Sequence, residues 1–197
     1  MKRFAFLILL TGWLVPLAAA QETEHVSLGV YADYLHPSDT SNNMAGIGAR
    51  LGFMAYKNLK FEASMNYDFS SAFDERSGGG NTGVGVSVVR SNVHILHGEF
   101  GPRVNLGAER WHFHPFVFAK GGFMHFSFSH APATFGNFAS NVSGLRDNNV
   151  SAAFYPGGGI EGHVGPLGLR ADVGDIINFA GGAHHNLNVT FGPFIRF

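Results

Sequence analysis

The sequence predicts an all-β chain, an eight-stranded antiparallel up-and-down transmembrane β-barrel, and three observations predict it. Apolar residues recur at every second position through eight segments, the connectors between segments alternate short and long, and the polar faces carry charges of both signs. Period two is the repeat of a strand, which sends successive side chains to opposite sides; a helix would need a repeat near 3.6. Composition agrees. Of 197 residues, 27 are Gly and 20 are Phe, and charged residues make up 14%, against about 25% in an ordinary soluble protein. The absence of Cys excludes a disulfide scaffold, a thiolate metal site and a cysteine nucleophile. A net charge of -1 gives no electrostatic reason to expect nucleic acid as a partner.

Residues 1–20 read as an export signal. Lys2 and Arg3 precede an apolar run from Phe4 to Leu17, and Ala18, Ala19 and Ala20 supply a small-residue cleavage site. Cleavage before Gln21 would leave residues 21–197 as the barrel domain. A transmembrane anchor is the weaker reading, because the run is short and ends in the small-residue site. No later stretch approaches the roughly eighteen apolar residues of a spanning helix.

The first segment alternates Val26, Leu28, Val30, Ala32 and Tyr34 with Ser27, Gly29, Tyr31 and Asp33. The second sets Ala45, Ile47, Ala49, Leu51 and Phe53 against Gly46, Gly48, Arg50 and Gly52. After a turn at Tyr56-Lys57-Asn58, the third sets Leu59, Phe61, Ala63, Met65, Tyr67 and Phe69 against Lys60, Glu62, Ser64, Asn66 and Asp68. The fourth carries Leu96, Gly98, Phe100, Pro102, Val104 and Leu106 opposite His97, Glu99, Gly101, Arg103 and Asn105. A turn at Gly107 to Arg110 leads to the fifth, with Trp111, Phe113, Pro115, Val117, Ala119, Gly121 and Phe123 opposite His112, His114, Phe116, Phe118 and Lys120. Gly157, Gly158 and Gly159 blur the sixth, from about Ser151 to Val164. The seventh runs through Leu167, Leu169, Ala171 and Val173 against Arg170, Asp172 and Gly174. The eighth runs through Leu187, Val189, Phe191, Pro193, Ile195 and Phe197.

Connectors after segments two, four and six are a few residues long. The others are long and rich in Gly, Ser, Asn and Asp: His36 to Met44, Ser70 to Arg90, Ser129 to Asn149 and Ile176 to Asn186. Short turns at one end and long polar loops at the other belong to barrels of the bacterial outer membrane. A soluble barrel would turn its apolar face inward. The polar faces argue for the inverse, since Arg50, Glu62, Asp68, Glu99, Arg103, Lys120, Glu161, Arg170, Asp172 and Arg196 form a mixed-sign set. A lumen ion-pair network is expected from Arg50, Glu62, Glu99, Arg103, Lys120, Glu161, Arg170, Asp172 and Arg196. Two aromatic girdles are expected as well, with Tyr34, Phe69 and Phe123 toward the loops and Trp111, Phe113 and Phe197 toward the turns. Pro102, Pro115 and Pro193 lack a ladder donor and would have to sit at bulges or strand ends.

The run Leu187-Asn188-Val189-Thr190-Phe191-Gly192-Pro193-Phe194-Ile195-Arg196-Phe197 resembles the final strand of small outer-membrane barrels of the OmpA/OmpX kind. Gly98-Glu99-Phe100-Gly101-Pro102-Arg103 is similar to a fourth strand of that family. His114-Pro115-Phe116-Val117 with Gly121-Gly122 is similar to a fifth. The resemblance implies outer-membrane lipid as surroundings, a monomer, and the barrel-assembly machinery as a partner, reading Phe191, Ile195 and Phe197. It implies no single activity, because members serve as structural proteins, adhesins and narrow pores. Members that tether the membrane to the wall carry a further domain, so a tethering role is not expected of a chain ending at Phe197.

No cofactor and no metal are expected. His184 and His185 are adjacent and would need His36 or His130 to complete a surface metal site. His97, His112, His114 and His163 read as hydrogen-bonding groups of the lumen or its turn-side rim. His125-Phe126-Ser127 resembles the His-x-Ser dyad of outer-membrane lipid A deacylases, with Asp175 the nearest candidate acid by depth. Gly78-Gly79-Gly80 lacks the Lys and helix of a phosphate loop. Room beside Gly46, Gly48, Gly52, Gly157 and Gly159 would favour a narrow pore for small solutes. The favoured reading is non-catalytic: a structural or surface-interaction role through the long loops. Phe73 to Asn81 and Thr134 to Asn149 are the expected contacts with an unidentified ligand, and Phe135 and Phe138 the anchors.

Overall fold

The computed structural model describes residues 25–38, 42–77, 87–106, 113–128 and 150–197, with the backbone alone at 73–77 and 87–91. The expected export signal at 1–20, Trp111, His112, His130, the expected turn at Gly107 to Arg110, Gly78-Gly79-Gly80 and the segment 129–149 lie outside these residues. Eight strands follow in chain order: β1 Val26–Pro37, β2 Met44–Tyr56, β3 Leu59–Ser77, β4 Ser87–Asn105, β5 Phe113–Phe128, β6 Val150–Val164, β7 Leu167–Asn178 and β8 His184–Arg196. Each pairs antiparallel with its sequence neighbours. The last returns to the first, from Ser27↔Arg196 to Pro37↔Asn186, and closes the barrel.

The outer face is apolar. Val30 is 59% exposed, Ile47 58%, Leu169 55% and Phe191 57%, whereas Glu62 and Arg103 on the inner face are 1% exposed. That inversion suits a hydrocarbon surrounding and closes every ladder without a free edge. Aromatic residues stand near both ends of the outer face. Tyr34 and Phe69 are exposed toward the long connectors, with Tyr67 edge-on to Phe69. Toward the turns, Phe61 stacks between Phe53 and Phe100 at 5.8 and 5.9 Å, and Phe113 is 64% exposed.

Several strands outrun the sequence pattern. The segment Ser70 to Arg90 reads as a loop, with Val84 to Arg90 open to the alternative of extending the fourth strand; β3 continues to Ser77 and β4 begins at Ser87, paired from Ser71↔Val93 to Ser77↔Ser87 after a register shift between Asp68 and Ser71. The ladder persists where alternation fails because backbone pairing needs no apolar face. Likewise β7 reaches Asn178 and β8 starts at His184, leaving a bend at 180–182 that includes Gly181 at φ 76°. The sixth segment is a continuous strand despite its three glycines. Two turns are minimal: Lys57-Asn58, and Gly165-Pro166 with Gly165 at φ 60°, the backbone that the first position of a tight hairpin turn demands.

The prolines do not need bulges. Between β4 and β5 the pairs step from Phe100↔Gly121 to Arg103↔Phe118, and between β1 and β8 from Gly29↔Phe194 to Ala32↔Phe191. Pro102 and Pro193 fall in these gaps, and the register is the same on either side. Each missing donor is absorbed by skipped rows on one side, while Pro102 and Pro193 still pair with Phe61 and Leu169 on the other. Pro115 sits near the start of β5, where its carbonyl accepts from Leu106 N at 2.8 Å.

Adjacent glycines on β5 give a test of this packing. A Cβ on Gly122 would overlap the carbonyl oxygen of Gly98, whereas one on Gly121 meets nothing within 4 Å. Gly122→Val is expected to destabilise the barrel by about 2–3 kcal/mol. Gly121→Val is expected to be neutral or slightly stabilising, within about 1 kcal/mol. Urea titration of the refolded protein, followed by heat-dependent gel mobility, checks both.

Candidate functional site

The inner face is the chemically dense part of the molecule, and register sets its layers. Toward the turn end, Glu62 on β3 is shared by three cations. Arg170 Nη1 lies 2.5 Å and Arg103 Nη1 2.9 Å from its Oε1, and Lys120 Nζ lies 3.2 Å from its Oε2. Asp172 takes Arg50 Nη1 and Arg170 Nε, each at 2.6 Å, on one oxygen, and Thr190 Oγ1 donates to the other. Glu161 receives Arg103 Nη2 at 2.6 Å, with Lys60 Nζ at 3.7 Å. All these groups are buried. Charges taken from water survive only when paired and hydrogen-bonded, which explains why carboxylates here are shared between cations from different strands.

Large inner side chains lie over glycines of a neighbouring strand. Rings of Tyr31, Phe118, Phe116, Phe194 and Tyr155 occupy the places where Cβ atoms of Gly48, Gly157, Gly159, Gly168 and Gly174 would be. Arginines then stack on these rings: Arg50 on Tyr31 at 4.0 Å, and Arg103 and Arg170 on Phe116 at 3.9 and 4.2 Å. The room expected beside Gly48, Gly157 and Gly159 is therefore filled by rings. Gly46 faces Asp68, and Gly52 faces Ser27 and Glu62.

Above this lies an acidic layer. His97 Nδ1 is 2.5 Å from Glu99 Oε1, and its Nε2 is 3.2 Å from Asp33 Oδ2 and 3.3 Å from Asp68 Oδ2. Ser64 donates to Glu99, and Asn188 donates to Asp33 at 2.5 Å while accepting from Tyr155 at 2.8 Å. Toward the long connectors the interior becomes mainly apolar, with Leu35, Met44, Val93, Ile95, Met124, Phe126 and Ile176 each no more than 2% exposed, and the buried Asn186 donates there to Asn178.

Arg196 lies half-buried at the turn-side rim, where it lines a small cleft with His25, Ser27 and Lys60. Phe191 is exposed on the outer face, and Ile195 and Phe197 are half-buried. His125 and Ser127 are half-buried outer-face residues of β5, opposite Leu96 and His94 of β4. Asp175 does not join them. It stands on β7, beyond β6, and holds His185 Nδ1 at 2.5 Å and the Asn186 amide at 3.0 Å. His184 bonds the Ala180 carbonyl, His36 bonds Asn43, and His114 stacks on His163 at 5.4 Å. No metal constellation joins His36 to His184 or His185 among the described residues; the one that occurs is Asp33, Asp68 and His97.

The sequence does not single out Asp33 and Lys60 among the charges, and it presents His97 as a hydrogen-bonding group rather than as the centre of an acidic cluster. Period two puts each on the polar face, but a face says nothing about which strands meet across the lumen. Replacing Glu62 by Gln keeps the shape and leaves three buried cations facing an amide. Glu62→Gln is expected to cost about 3–5 kcal/mol in urea unfolding, and adding Lys120→Met to recover part of that loss.

No protein-family model matches the chain, and no curated protein matches it in sequence. Solved structures do. Neisserial surface protein A superposes with a TM-score of 0.54 at 12% identity, over 87% of this chain and 97% of that one. Ail, the attachment invasion locus protein of Yersinia pestis, gives 0.51 at 12%, over 88% and 97%. Outer membrane protein W of E. coli gives 0.50 at 15%, over 90% and 100%. At such identities the likeness concerns backbone alone, and on that ground the chain has the fold of the small eight-stranded outer-membrane β-barrels.

Proposed function

We propose that the chain is a monomeric, non-catalytic integral protein of the bacterial outer membrane, whose barrel is a sealed support and whose working surface is its long connectors. The observation that carries this reading is the filled interior. A mainly apolar layer lies over an acidic layer and an ion-pair layer, all nearly devoid of exposed surface. Such a lumen passes neither solutes nor substrate, so interaction falls to the outside. The outer face of apolar and aromatic residues supplies the lipid contact. Alternation through Phe191 and Ile195 of β8 and the following Phe197 supplies a signal to the barrel-assembly machinery.

The Yersinia pestis neighbour was solved with a heparin analogue, sucrose octasulfate. A polysulfate requires clustered cations. In this chain, residues 38–43, 78–86, 129–149 and 179–183 hold Arg146 and no other Lys or Arg, amid Asn, Ser, Gly and Phe, and the β3–β4 extension adds Arg76 and Arg90 only beside Asp74 and Glu75. That composition favours a neutral partner met by aromatic stacking and amide hydrogen bonds, with Phe135 and Phe138 as anchors.

Planar bilayers test the sealed interior. Reconstituted protein is expected to give no steady single-channel conductance, and vesicles containing it to retain an entrapped disaccharide. Steady conductance with leakage would replace this reading by the narrow pore.

A further inference from the structure

We propose that Asp33, Asp68 and His97 form a binding site for one divalent transition-metal ion, of the zinc class, inside the barrel. Three strands contribute, β1, β3 and β4, and the three ligand atoms lie within 4.8 Å of one another. Two of the three separations match a coordination shell, and the third, between the Asp oxygens, lies within 4.8 Å. His97 Nε2 is 3.2 Å from Asp33 Oδ2 and 3.3 Å from Asp68 Oδ2. A tetrahedral ion with bonds of about 2.0 Å requires ligand atoms about 3.3 Å apart.

A hydrogen-bonding account leaves these contacts poorly explained. One N–H on Nε2 would have to be divided between two carboxylates at long range. Asp68 is 0% exposed, and apart from the 3.3 Å approach of His97 Nε2 neither of its oxygens has a hydrogen-bond partner. A cation in the angle between Nε2 and the two Asp oxygens satisfies all three at once.

The surroundings orient the donors as metal sites require. His97 Nδ1 faces Glu99 Oε1 at 2.5 Å, which holds the tautomer that leaves Nε2 free to coordinate. Glu99 is itself fixed by Ser64. Asp33 Oδ1 accepts from Asn188, held in turn by Tyr155, and this aims Oδ2 at the site. Locally, Asp33, Asp68 and Glu99 place three carboxylates around a single imidazole, a donor set that attracts a cation. A nitrogen donor with two carboxylates suits zinc or its neighbours better than calcium or magnesium, which take oxygen alone.

The test uses the full mature chain refolded with zinc, with loose metal removed on a chelating column and folding checked by heat-dependent gel mobility. Wild-type protein is expected to retain about one zinc per barrel. Asp68→Asn and Asp33→Asn are each expected to retain about tenfold less. A His184→Ala/His185→Ala variant, which removes the exposed histidines, is expected to keep the metal. Cobalt in place of zinc should give wild type the intense visible absorption of a tetrahedral site, and Asp68→Asn should lose it. Folded wild type without metal, or metal retained in both Asp variants, overturns the proposal. So does metal lost only from the His184/His185 variant. Should either Asp variant not fold, the wild-type zinc content and cobalt spectrum decide alone.

Discussion

Everything in this molecule depends on the pairing of β8 with β1. In hydrocarbon no water satisfies a loose N–H or C=O, so a spanning sheet must leave no edge. Closure from Ser27↔Arg196 to Pro37↔Asn186 meets that condition. It also sets the strand number at eight, and with it a bore just wide enough for side chains to fill. The inner positions of eight strands must therefore fit one another across the lumen as well as along each ladder.

That second requirement explains the combination of glycine, aromatic rings and paired charge inside. A flat ring or a guanidinium needs depth, and a glycine on the adjacent strand provides it. Gly159, the Phe116 ring and the two guanidinium groups of Arg103 and Arg170 stand in sequence from wall to centre. Once the charges are inside, each carboxylate must serve several donors, because breaking one member of a buried set leaves its partners uncompensated. Glu62, with three cations, holds β3 to β4, β5 and β7 at a single point. The interior does the work that an apolar core does in a soluble protein, and the membrane takes the apolar face instead.

A filled bore also limits where function can reside. A mainly apolar layer lies between the acidic layer and the long connectors. The proposed contact with a neutral surface draws on the aromatic and amide side chains of the connectors. The proposed ion site draws on interior donors held by neighbours on several strands.

Much was legible in the sequence. Leu59 to Phe69 alternates so cleanly that only a strand can use it, and its polar face of Lys60, Glu62, Ser64, Asn66 and Asp68 is the face the structure turns inward. Where alternation lapses, as beyond Phe69 and after Val173, the strands continue unseen, since the ladder is made by backbone groups that every residue carries. Proline looked costlier than it is, because a donor lost on one side of a strand leaves pairing on the other intact. By itself the sequence determined the fold class, the strand order and the face on which each residue sits, for these follow from a local period of two. Tertiary structure alone decided which residues meet across the bore: Arg50 with Asp172, Glu62 with Arg170, and His97 with Asp33 and Asp68. Those pairings depend on barrel closure and on the stagger of strands far apart in the chain, and no local pattern encodes them.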